Sequence, residues 1–155
     1  MEFLAELHPK VVHFPIALLM ISVLFDVVGI LSKKEYFHKS AHLLLLLGVL
    51  GSFAAAFTGN QAFSSYKFWN NSSGELMSNH ELYANITIWY FTLILFLRTF
   101  LVLRKKYFTP VKYIIIVLGI VGCYFLFQTS EYGGKLVNKY GIGTDLIPDQ
   151  TIKNE

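Results

Sequence analysis

The chain has 155 residues, 54% of them hydrophobic and 15% charged, and a mean hydropathy of +0.50. Soluble domains carry about a quarter charged residues, so a large soluble enzyme domain is excluded and the apolar excess must lie in membrane-spanning runs. The lone cysteine, Cys123, excludes an internal disulfide framework, and the formal charge of +3 is informative only through its placement along the chain.

Four predominantly apolar runs, residues 11–32, 41–58, 82–103 and 111–129, are each long or nearly long enough to cross a hydrocarbon core of about 30 Å. The predicted fold is therefore all-α, a four-helix transmembrane bundle over residues 1–143 with a loosely ordered tail over 144–155. Glu2 and Glu6 stand where a secretory leader would be cationic, so the first run reads as a retained span. Pro9 and Pro15 fall in its first turns, and Pro110 opens the fourth helix in the same way. The second helix carries Gly51, Ala55 and Gly59 at four-residue spacing, and the fourth carries Gly119 and Gly122. These small residues read first as close helix packing and second as room for a flat cofactor. Residues 60–79 read as a polar loop, and the glycines of 133–143 as turns capping the bundle.

Charge sets the expected orientation. The side with the short connections, 33–40 and 104–110, holds Lys33, Lys34, Lys39, Arg98, Arg104, Lys105, Lys106 and Lys112. Asp26 and Glu35 are its only acids, leaving a net +6. The opposite side holds five lysines against eight acids, a net −3. Positive charge accumulates on the cytoplasmic side, so both termini are expected on the outer side.

Ionisable groups in a membrane helix are costly and become functional candidates by default. They form two layers. In the outer one, His13 on the first helix and His80 on the third are expected at one level, with His8, Glu6, Glu81 and Glu131 nearby. Ala17 and Ala84 follow the two histidines at i+4 and leave space beside each ring. Two imidazoles on facing helices in apolar surroundings suit the axial ligands of a haem b. A copper or zinc ion on His8, His13 and His80 with a carboxylate is the second reading, and histidines that simply bond carbonyls or headgroups are the third. In the inner layer, Asp26, His42 and Arg98 are expected to meet as an ion-paired cluster that locks the helices, or as a proton or quinone-headgroup site. His38 and His42 share one helix face and cannot flank a single haem. No nucleic-acid, nucleotide-loop or nucleophile motif stands out.

The segment Leu7-His8-Pro9-Lys10-Val11-Val12-His13-Phe14-Pro15, together with Thr58-Gly59, His80, Gly133-Gly134-Lys135-Leu136-Val137 and Tyr140-Gly141-Ile142-Gly143, resembles the DUF2231 family of bacterial multi-pass membrane proteins. The resemblance implies a bundle similar to cytochrome b and, through members fused to c-type cytochromes, redox work. This chain has no CxxCH motif, so any c-type cytochrome has to be a separate periplasmic partner. The expectation is one haem near the outer face, on His13 and His80 with His8 as the substitute ligand and Gly59 lining the pocket, in an electron-transfer subunit rather than a stand-alone enzyme. The alternative is a non-redox accessory subunit of a larger membrane complex.

Overall fold

In the computed structural model the backbone is described for residues 2–65 and 70–142, and side chains for 7–64 and 70–142. These residues form five helices and no strand: α1 (Glu2–Val11), α2 (His13–Ser32), α3 (Glu35–Ser65), α4 (Asn71–Leu103) and α5 (Thr109–Tyr140). Four stretches are long and apolar enough to cross a membrane, the first running through α1 and α2 as Leu7–Ser32.

The first span is interrupted at Val12. Pro15 has no amide hydrogen and cannot bond the carbonyl four residues earlier, so the helix loosens there. The bonds from Val12 N to His8 O at 3.1 Å and Ile16 N to Val12 O at 3.3 Å hold the two pieces in sequence. Pro15 is buried close to Gly51 of α3, and α1 leans on α3.

The remaining helices run further than their apolar segments. Residues 71–79, expected as loop, are the first turns of α4, because Asn70 and Ser73 form a reciprocal capping box. Ser73 N donates to Asn70 Oδ1 at 2.8 Å and Asn70 N donates to Ser73 Oγ at 2.9 Å. Residues 60–65 likewise extend α3. Gly133 and Gly134, expected in turns, are helical. The turn comes at Gly141, whose φ of 64° is left-handed, with Ile142 N bonding Leu136 O at 3.3 Å. The tail 144–155 and Tyr66, Phe68 and Trp69 lie outside the described residues.

Helices α2 and α3 pack as one antiparallel hairpin and α4 and α5 as another. The hairpins meet more sparsely along α3 with α4 and α2 with α5, and the backbones of α2 and α4 stay further apart, joined only by long side chains. The bundle is therefore a ring in which α2 and α4 are diagonal. Leu19, Leu45, Val49, Phe91, Ile94, Ile115 and Leu126 fill its centre. Phe14 (72% exposed), Leu31 (77%), Phe96, Leu103 and Phe127 lie on the outside, while Ser22, Asp26, Thr58, Thr87 and Arg98 are buried. An apolar exterior around a partly polar interior is the arrangement a lipid solvent favours.

Glycines let the helices close. A Cβ at Gly48 would lie 2.7 Å from Leu19 Cδ2, one at Gly119 2.8 Å from Val23 Cγ2, and one at Gly122 2.6 Å from Phe91 Cζ. The Gly51–Gly59 stripe is filled in the same way, by Pro15 and His8. The small residues thus receive the chain's own side chains.

Candidate functional site

At the outer end, each hairpin holds one histidine against its own partner helix. His8 of α1 reaches α3, where its Nδ1 is 3.1 Å from Thr58 Oγ1. The Thr58 hydroxyl donates its single hydrogen to a carbonyl of its own helix, with Ala55 O at 3.0 Å and Ala54 O at 3.2 Å. With that hydrogen on the carbonyl, the hydroxyl accepts from His8 and Nδ1 carries the proton. His80 of α4 reaches α5 and donates from Nδ1 to Thr129 O at 3.0 Å. Both rings rest on glycine: a Cβ at Gly59 would stand 2.8 Å from His8 Cε1, and one at Gly133 3.0 Å from His80 Cε1.

In both neutral rings the fixed tautomer turns the lone pair onto Nε2. A ring with Nδ1–H tied to a protein oxygen and Nε2 free is the form in which histidine binds metals. His8 stands on α1, whose main packing is against α3, and His80 on α4, whose main packing is against α5.

His13, expected opposite His80, is exposed instead, together with Ala17 and Phe14. Successive residues turn by about 100°, so His8 and His13 lie about 140° apart on a continued helix and only one can face inward. The inward positions of α2 are Pro15, Leu19, Ser22, Asp26 and Gly29. Stepping back seven residues from 29, 22 and 15 arrives at His8, a register that the polar Ser22 and Asp26 already announce in the sequence. Ala84 and Gly59 are half-buried, Glu81 is exposed, and Glu131 pairs with Lys135 at 3.0 Å rather than with a histidine. Among the described residues no three of His, Cys, Asp and Glu come together to hold a metal ion; the side chain of Glu6 lies outside the described residues.

The inner layer does assemble, with a different histidine. Arg98 donates from Nη1 to Asp26 Oδ2 at 2.5 Å and from Nη2 to Asp26 Oδ1 at 2.9 Å. His38, not His42, donates from Nδ1 to Asp26 Oδ1 at 2.8 Å, and its carbonyl accepts from Arg98 Nη2 at 2.6 Å. His38 belongs to the buried stripe that continues through Ala41, Leu45, Gly48 and Ser52. His42 is one position off it and only approaches Thr99, with Nε2 3.4 Å from Oγ1. Gly29 makes room for the His38 ring, 2.8 Å from where its Cβ would stand. Tyr107, beneath the Arg98 guanidinium at 5.1 Å, has its phenol pKa pushed up by burial. Lys112, buried on α5, bonds the exposed Glu35.

The fold and its polar interior define a multi-pass helical membrane protein. The family model for DUF2231, described as a predicted membrane protein, matches residues 5–146, and the chain belongs to that family. Searches of curated proteins and of solved structures found no match.

Proposed function

We propose that the protein is a membrane electron-transfer subunit that holds one haem b between Nε2 of His8 and Nε2 of His80. The observation that carries this reading is the pair of Nδ1 anchors, at Thr58 Oγ1 and Thr129 O, which leave two oriented imidazole lone pairs, one on each hairpin. The donor chemistry fits axial ligation, for which neutral imidazole is a common partner. Haem supplies reversible one-electron chemistry when bound. The chain's part is to fix two ring tautomers and to hold each ring on a glycine.

Protein purified in detergent from haem-replete cells is expected to show a b-type reduced-minus-oxidised spectrum with about one haem per chain. A folded, colourless protein would overturn the reading.

The charge bias supports an inner-membrane orientation with the basic connections cytoplasmic and the histidine end periplasmic. In that orientation a periplasmic c-type cytochrome can exchange electrons with the site. Alkaline phosphatase fused to the C-terminus should then be active in a bacterial host. An inactive fusion, with activity recovered when the enzyme is moved to the 104–108 connection, would reverse the orientation.

A further inference from the structure

The inner cluster has more hydrogen-bonding capacity than the protein satisfies. Arg98 is 1% exposed, yet its Nε–H has no partner, and the buried hydroxyl of Tyr107 has none either. Inside the bundle the guanidinium cannot turn to bulk water. Beside Arg98 lies a void of about 10 Å³ bordered by Ser22, Asp26, Phe91, Ile115 and Gly119. That is about the volume one water molecule requires. Ser22 spends its hydroxyl hydrogen on Leu19 O at 2.7 Å and keeps lone pairs for another donor.

We propose that this half of the bundle holds one internal water, which accepts from Arg98 Nε–H in the void and donates to the lone pairs of Ser22 Oγ and the Asp26 carboxylate that border it. This site is separate from the His8–His80 pair, and its test needs no haem.

The chain has two arginines, Arg98 and Arg104, so Arg104→Lys leaves a single Nε–H to observe. In nitrogen-15-labelled Arg104→Lys protein in lipid nanodiscs, magnetisation transfer from water to Arg98 Nε–H is expected. The transfer should disappear when Ser22→Val fills the void and persist in Ser22→Ala. An Nε–H that receives nothing from water and resists deuterium exchange for hours would overturn the proposal. That observation on the Arg104→Lys protein stands even if Ser22→Val does not fold.

Discussion

Replacing Arg98 with leucine is expected to destabilise the bundle by about 3–5 kcal/mol, the cost of leaving a buried partner charge without its counter-ion. The Asp26 carboxylate, enclosed by α2, α3 and α4, would keep only the His38 Nδ1–H, and the tie from Arg98 to the His38 carbonyl would be lost. Asp26→Leu should cost a similar amount by stranding the guanidinium. The Asp26→Leu/Arg98→Leu double variant should recover most of the loss, because neither charge then has to be held in a low-dielectric interior. Arg98→Lys should fall between, keeping the charge without the two-pronged fit to the carboxylate. Reversible unfolding in mixed micelles reads all four. A double variant as unstable as the sum of the singles would show that the cluster stabilises through something other than pairing.

The second large effect is expected at glycines, where neighbours in sequence should respond in opposite directions. Gly48→Ala places a methyl 2.7 Å from Leu19 Cδ2 and 3.3 Å from the Leu19 backbone nitrogen. Leu19 is fully buried, so α2 and α3 must separate, at about 1–3 kcal/mol for overpacking. Gly133→Ala pushes on the His80 ring, 3.0 Å away, and should break its bond to Thr129 O. Gly134, one residue on, meets nothing within 4 Å. Gly134→Ala should therefore gain up to about 1 kcal/mol of helix propensity. The same unfolding assay, with the His80 Nδ1–H signal followed by nitrogen-15 NMR, separates the cases. Equal behaviour of Gly133→Ala and Gly134→Ala would contradict the packing described for His80.

The four spans were legible because a lipid-facing helix must be apolar on most of its surface, and runs such as residues 111–129 have few other readings. Helix ends were less legible, because hydropathy falls where a helix emerges from lipid although the helix continues. The stop signals there are local, the Asn70–Ser73 box and the left-handed Gly141, and they outweigh the polarity of residues 71–79 and 133–140. The inner pair Asp26–Arg98 followed from sequence because a buried acid and a buried base at similar depth have few other ways to be accommodated. Choosing between His38 and His42, or between His8 and His13, required helical phase. In each case the inward stripe was marked by small or polar residues, Gly48 and Ser52 for α3, Ser22, Asp26 and Gly29 for α2. Proximity to the apolar run favoured His13, whereas register favours His8. The anchors had no sequence signal of their own, since Thr58 also bonds back to its own helix, as isolated membrane threonines do, and the Thr129 anchor is a main-chain carbonyl that any residue offers.

The central claim is that His8 and His80, not His13, form the ligand pair. The reduced-minus-oxidised absorbance of His8→Ala, His13→Ala and His80→Ala, purified beside the wild type, tests it most directly. The b-type signal is expected to be lost in His8→Ala and His80→Ala and retained in His13→Ala, whose side chain faces outward. A signal that survives His8→Ala and disappears in His13→Ala would contradict the site described here.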